Sequence, residues 1–347
     1  MKGRVILLDR VGDRQAAALM VDGRLHDLLV DPPSGAAPAP GAIFRATADR
    51  PMKGQGGITL DLGGGAKGFL RQAKGVSPGD TFLVQVAGVA EAGKAVPVTL
   101  RLLFKSRYAI VTPDAPGLNV SRQIKDDAER DRLLELAHAA MADMPHGLIL
   151  RSAAEGVDDA SLTADIADMA GLAAAIMGDA GQGAECLLDA PDAHHLAWRD
   201  WSLPDPDEVI DKPGCFADNG VFEAVEAMLD PYADLPGGAH AMIEATRALI
   251  AVDVNTGADT SLAAGLKANM ALARDLPRQL RLRGFAGQIV LDVAPMPKKD
   301  RRAFEDALRR AFRLDATETV LAGWTPLGHF ELQRKRDRWP LTEVWPR

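Results

Sequence analysis

The sequence predicts a multidomain fold of mixed α+β and α/β character, and three observations carry that prediction. Two short apolar runs, 248–253 and 287–292, read as strands that end in Asp253 and Asp292, and a segment with helical spacing follows each. Residues 42–104 hold closely spaced, glycine-punctuated strands with almost no helical periodicity, the pattern of a small barrel. At 347 residues the chain exceeds one typical small domain, so two to four compact units are expected.

From the N-terminus, apolar runs at 4–8, 16–21 and 25–30 are separated by Gly and Asp and predict a small antiparallel sheet. The Pro/Gly/Ala-rich run 31–41 predicts a crossing between domains. Barrel strands are expected at 42–46, 57–62, 81–89 and 97–104. Gly63-Gly64-Gly65 is not a phosphate loop, because it lacks a Gly-Lys-Ser/Thr ending and a following helix. Next come a strand at 108–113, a helix over 126–141, a strand at 147–152, and a helix over 161–177 with Ser161 as N-cap. Residues 181–219, rich in Asp, Pro, Trp and His, are expected to be irregular, with His194-His195 a polar loop feature. A short helix at 221–229 and a turn at 236–238 lead into the first aspartate strand. The helices after the two aspartates are placed at 262–283, interrupted at Pro277, and at 299–312.

An apolar fraction of 47% is ample for buried cores. No apolar run looks long enough to span a bilayer, and the N-terminal run is too short for a signal peptide. Cys186 and Cys215 form neither metal-type spacing nor a disulfide framework, so a cytoplasmic protein without membrane contact is expected. The net charge of −8 opposes nucleic-acid binding on average, but residues 266–347 hold 17 Lys/Arg against 10 Asp/Glu. A locally basic surface beside the aspartates would attract a polyanion; solvated helix faces explain the same count.

If the two aspartate strands are neighbours in one sheet, both carboxylates emerge at one edge. Two carboxylates with the Asn255 carboxamide suit a hard divalent cation that takes oxygen ligands and keeps several waters. Metal-assisted phosphate chemistry follows from that arrangement, whereas turn or cap roles for the same residues are the plainer alternative.

The composite Leu235-Pro236-Gly237-Gly238, Val252-Asp253-Val254-Asn255, Arg278-Gln279-Leu280-Arg281-Leu282-Arg283 and Ile289-Val290-Leu291-Asp292 resembles the catalytic core of the ribonuclease E/G endoribonucleases in order, spacing and residue type. The resemblance implies an RNase H-like base (1–35 and 186–238), an inserted OB-type RNA-binding barrel (38–104), a 5′-sensor-like α/β segment (105–185) and a DNase I-like catalytic domain (239–347). It implies hydrolysis of single-stranded RNA to 5′-phosphate and 3′-hydroxyl ends. Asp253 and Asp292 would hold Mg²⁺, with Mn²⁺ as a substitute, and Asn255 would be catalytic beside them.

By the same resemblance, Phe69 stands at one of two RNA-stacking aromatic positions, Thr59 at the other, and Lys94 at an RNA-holding lysine. Arg151 and Ser152 match the pair that clamps a 5′-monophosphate; Ser106, Ile110 and the uncharged Thr319 fall at the remaining lining positions. Pro295 replaces a second acidic residue and Arg247 a glutamate. With no Cys-Pro-x-Cys segment and no C-terminal extension, a homo-oligomer is left open but not one joined through zinc. Arg334, Lys335, Arg336 and Arg338 read either as phosphate contacts or as solubilising charge. Three other readings stay open: an inactive RNA-binding protein on the same scaffold, a metal-dependent phosphatase or nuclease for small or DNA substrates, and an assembly role in RNA processing.

Overall fold

Apolar–polar alternation near the N-terminus produces β1 (Arg4–Val11), β2 (Arg14–Val21) and β3 (Arg24–Val30), paired antiparallel in chain order as expected. The computed structural model describes all residues except 1, 53, 55, 114, 143, 262 and 347. The chain divides into two units, residues 1–34 with 207–347, and residues 35–206, so the Pro/Gly-rich run contains the first passage between them.

In the unit of residues 35–206, five strands close a barrel: β4 (Ile43–Met52), β5 (Gly57–Gly63), β6 (Ala66–Arg71), β7 (Thr81–Val86) and β8 (Val96–Thr99). They pair in the order β4-β5-β6-β8-β7, and β7 returns to β4. Ile58, Leu60, Leu62, Leu70, Val84 and Val98 fill the interior, compatible with an OB-like barrel. Ala66-Lys67-Gly68 has little strand propensity, and cross-strand pairing with β5 is what makes β6 a strand.

Beyond the barrel lie β9 (Phe104–Lys105), β10 (Ala109–Thr112), β11 (Leu118–Val120), α1 (Asp127–Ala140), β12 (Gly147–Leu150) and α2 (Asp159–Met177). The strands form a sheet ordered β11-β12-β10-β9, and both helices contribute to its core through Leu133, Ala137, Leu162 and Ile166. The α2 N-cap is Asp158, which accepts from the Ser161 N–H at 2.9 Å, so the expected cap residue is instead the capped one. Contrary to the sequence reading, α2 is long and apolar enough to cross a membrane, yet Leu162, Ile166, Ala170 and Ala173 are buried in this core.

The stretch 181–219 is more ordered than its composition suggests. It contains β13 (Glu185–Leu188), which pairs with β4, then α3 (Ala193–Asp200), β14 (Glu208–Asp211) and α4 (Cys215–Asp218). His194 and His195 lie on α3, capped by Asp192, rather than in a loop. Elements this short carry no readable periodicity; β13 and β14 exist through pairing with strands more than a hundred residues away.

The other unit joins β14 in parallel to β1, giving the order β14-β1-β2-β3. Its second sheet begins after α5 (Val221–Leu229) with β15 (Tyr232–Leu235), β16 (Ala239–Ala245) and β17 (Ile250–Asn255). There follow α6 (Ala264–Arg283), β18 (Gly287–Asp292), α7 (Arg301–Arg313), β19 (Thr319–Trp324), β20 (Phe330–Arg334) and α8 (Leu341–Val344). The order is β15-β16-β17-β18-β20-β19. Val252, Val254, Ile289, Leu291, Phe330 and Leu332 share one core with Leu272, Leu276, Phe304 and Leu308 of the two helices. The alternate strand residues therefore face away from the helices.

The expected break at Pro277 does not occur: α6 runs through it, although the sequence-expected start at 262 lies outside the described residues. Leu272, Leu276 and Leu280 are fully buried on either side, and their packing outweighs the roughly 3 kcal/mol that an interior proline costs. The arginines at the end of α6 are structural. Arg278 donates to the Leu25 carbonyl at 2.9 Å, and Arg281 pairs with the buried Asp27 and Asp315. Arg334 and Arg338 close the same network on Asp315 and Asp27, which excludes them as free phosphate contacts. Desolvation opposes charge at Asp27, but Arg338 and Arg281 prevail and hold its carboxyl below the usual carboxylate range.

Candidate active site

β17 and β18 are adjacent and parallel, and their register pairs Ile250 with Ile289 and Asp253 with Asp292. The two aspartates thus stand side by side at the carboxyl ends of neighbouring strands, about 4.8 Å apart along the hydrogen-bonding direction. Period-two alternation places both on the face away from α6 and α7, and both are exposed. Asn255, two residues beyond Asp253, lies on the same face and donates from Nδ2 to Asp253 Oδ2 at 2.9 Å. The condition set by the sequence reading, that the two aspartate strands be neighbours in one sheet, is therefore met.

Three local devices fix this edge. Gly257 follows the β17 end with φ +61°, and a Cβ there would overlap the Gly238 carbonyl, so the β15–β16 turn packs against the loop after Asn255. Gly265, in the first turn of α6, leaves room for the Pro295 carbonyl. Asn269, fully buried one turn later, donates to the Ala294 carbonyl at 2.8 Å and accepts from the Ala294 N–H at 3.0 Å. The backbone just past Asp292 is thereby pinned to α6. No sequence signal marked Asn269, because its partner lies 25 residues away.

His329 was also missed. It lies between β19 and β20, with Nε2 3.7 Å from Asp292 Oδ1. Its approach depends on β20 pairing with β18, which local patterning does not reveal. Arg247, by contrast, is exposed in the β16–β17 turn, beyond Ile250, which is itself about 10 Å along the strand from Asp253, so that departure does not touch the carboxylates. Among the described residues, no cluster of three or more His, Cys, Asp or Glu side chains has metal-binding geometry. Two carboxylates and a carboxamide still match a Mg²⁺ site completed by waters and substrate phosphate.

Apart from Thr319, the remaining residues selected for RNA contact lie in the unit of residues 35–206. Phe69 is half-buried on the outer surface of the barrel, outside its core, directly opposite Thr59 across β5 and β6. The Phe69 ring covers Gly57, and the Thr59 hydroxyl donates to the Arg50 carbonyl at 3.1 Å. Lys94 is exposed in the β7–β8 connection and pairs with Glu91. Arg151 follows β12 and caps the short 3₁₀ turn Ser152–Ala154, so the strand expected at 147–152 ends two residues earlier, at Leu150. Its guanidinium donates to the Ser106 carbonyl at 2.6 Å and to Asp200 Oδ1 at 2.9 Å. Burial raises the Asp200 pKa, but Arg199 and Arg151 outweigh it and hold this carboxyl below its usual range. Ser152 carries no described side-chain hydrogen bond. Thr319 accepts from Arg334 at 2.9 Å.

The sequence profile of the Ribonuclease E/G family matches residues 104–214 and 209–337. The chain belongs to this family. Ribonuclease G of Escherichia coli (strain K12) is 28% identical over 309 residues, covering 78% of this chain and 62% of the relative. Ribonuclease E of Nostoc sp. is 28% identical over 309 residues, covering 78% of this chain and 45% of the relative. Ribonuclease G of Haemophilus influenzae is 25% identical, with 62% of its length covered. The family member described here thus spans less than two thirds of these relatives.

Proposed function

We propose that this ribonuclease E/G family member is a Mg²⁺-dependent endoribonuclease acting on single-stranded RNA in RNA processing or decay, with Mn²⁺ as an alternative ion. The observation that supports this reading above the others is the in-register pairing of Asp253 with Asp292 beside Asn255. A cytoplasmic site of action belongs to the same proposal, as do an RNase H-like assignment for the β14-β1-β2-β3 sheet and a DNase I-like one for the β15–β20 sheet.

Mg²⁺ held by Asp253 and Asp292 would supply Lewis-acid charge at the scissile phosphate and lower the pKa of a bound water. The carboxylates themselves need no rearrangement, because both leave rigid strand ends on one face. Asn255 uses one amide N–H to orient Asp253, and its second remains for a phosphate oxygen. The pinned Ala294–Pro295 backbone holds Asp292 at the register that places it opposite Asp253. Attack in line with the 3′-oxygen leaves a 5′-phosphate on one product and a 3′-hydroxyl on the other.

The test is cleavage of a 5′-monophosphorylated, AU-rich single-stranded RNA by wild type and Asp253→Asn, with Mg²⁺ and with EDTA. Cleavage is expected only for wild type with Mg²⁺. A second reading, an RNA-binding protein without activity, is favoured by Thr59 opposite Phe69 and by Asp200 on Arg151, both of which weaken substrate handling. Binding of the intact RNA without cleavage in Mg²⁺ or Mn²⁺ would replace the first reading by the second.

A further inference from the structure

Tyr232 and His240 stack on each other on the sheet that carries Asp253. Their ring centroids are 5.0 Å apart and the planes differ by 20°. Tyr232 is 45% exposed, unusual for a large ring on a structured strand.

The register fixes where this pair lies. Tyr232 is opposite Met242, Met242 opposite Asp253, and Asp253 opposite Asp292, so the four form one row across β15, β16, β17 and β18. Directly opposed residues project to the same face, so Tyr232 shares the open face with the carboxylates, about 10 Å from Asp253. His240 is directly opposite Asn255, one strand spacing away. The platform is also braced from behind. Arg283, buried at the end of α6, donates to the carbonyls of Asp230 at 2.9 Å and Tyr232 at 3.3 Å. The Tyr232 N–H donates to Asp230 Oδ1 at 2.7 Å.

The charge of this face narrows what the pair can hold. Outward positions of β15 to β18 carry Asp234, Glu244, Asp253 and Asp292, and none of them is Lys or Arg. Phosphate oxygens find no cationic partner there, whereas a nucleobase needs only an exposed ring face. Extending the endoribonuclease reading above, on which it rests, we infer that Tyr232 and His240 form a stacking platform for a nucleobase of the RNA strand lying across Asp253 and Asp292. The pair positions the scissile phosphate and sets which linkage is cut. It is a substrate-positioning contact and takes no part in bond breaking.

The experiment uses the full chain and one RNA whose cleavage site has been mapped with wild type. Abasic nucleotides are placed singly on either side of the scissile linkage. One position is expected to lower kcat/KM by roughly tenfold. Tyr232→Val, which keeps a strand-former, should show that loss on intact RNA and no further loss with the abasic RNA; Tyr232→Phe should behave as wild type. The cut should also become less focused on one linkage, which a stabilising role alone would not produce. In parallel, 2-aminopurine at the sensitive position reports stacking by quenching when Asp253→Asn binds the uncut RNA. If Tyr232→Val proves unstable, His240→Leu carries the same comparison from the neighbouring strand.

The inference is overturned if wild type cleaves but Tyr232→Val retains kcat/KM within about twofold, the same cut site and the same abasic penalty. If wild type does not cleave, quenching by Asp253→Asn that disappears in Asp253→Asn/Tyr232→Val upholds the platform while the nuclease reading falls. Absence of quenching in both overturns the platform as well.

Discussion

Asp253 and Asp292 meet water at the ends of two strands, with one carboxamide and one imidazole close by. Arg151, in the other unit, already donates to a carbonyl and a carboxylate. The family resemblance covers both positions, although the aspartates were already marked by the local strand pattern, and the structure separates them. A carboxylate pair that forms no ion pair with Lys or Arg among the described residues keeps its charge for a ligand; a guanidinium held by Asp200 must exchange one anion for another before it can hold a phosphate. Ligand readiness here depends on which charges the fold leaves uncompensated.

The most severe test removes one member of the exposed pair. Asp292→Asn is expected to lower cleavage by at least about a hundredfold while shifting the urea midpoint very little, because the side chain is exposed. A comparable loss of stability would show that the strand-end carboxylates are structural, and the contrast with Arg151 would vanish. Next in size is repair of the barrel platform. Thr59→Phe puts a second ring directly opposite Phe69 and should tighten binding of short single-stranded RNA by roughly tenfold, read by fluorescence anisotropy.

A smaller effect concerns the internal anion. With Asp200 in place, RNAs bearing 5′-monophosphate and 5′-triphosphate should be cleaved at nearly equal rates. Asp200→Ala frees the Arg151 guanidinium and should introduce a preference of a few-fold for the monophosphate. A strong preference in wild type would mean that Asp200 yields readily to phosphate.

The mildest effect is acidic. Hydrogen bonds from Arg132, then from the Gly156 N–H, outweigh desolvation and lower Glu129 from 4.5 to about 2. A depressed folded-state pKa contributes stability above the unfolded value of 4.5, and this is lost as pH falls from there toward about 2. Glu129→Gln should therefore flatten that limb of the urea midpoint–pH curve. An unchanged limb would show that other carboxylates govern it.

Strand ends were legible because Asp253 and Asp292 close short apolar runs bounded by turn residues, a local pattern. The helix after Asp126 was equally legible through its spacing. The capping role of Asp158 and the continuity of α6 through Pro277 were misread, since they depend on competition between neighbouring cap residues and on packing, while the membrane length of α2 was missed because Asp165 and Asp168 interrupt its apolar run. His329, Asn269 and Tyr232 gave no signal at all, as their partners come from other elements.

By itself the sequence determined the chemical inventory: two carboxylates and a carboxamide at strand ends, a glycine-punctuated barrel segment, and arginines closing a helix. Only the tertiary structure decided which of these groups remain available. The β17–β18 register placed Asp253 beside Asp292, while Asp200 occupied Arg151 and Asp27 and Asp315 took up the arginines of α6, β20 and the segment that follows it. The physical reason is that strand pairing and charge pairing act between residues far apart in the chain, and no local pattern encodes the partner.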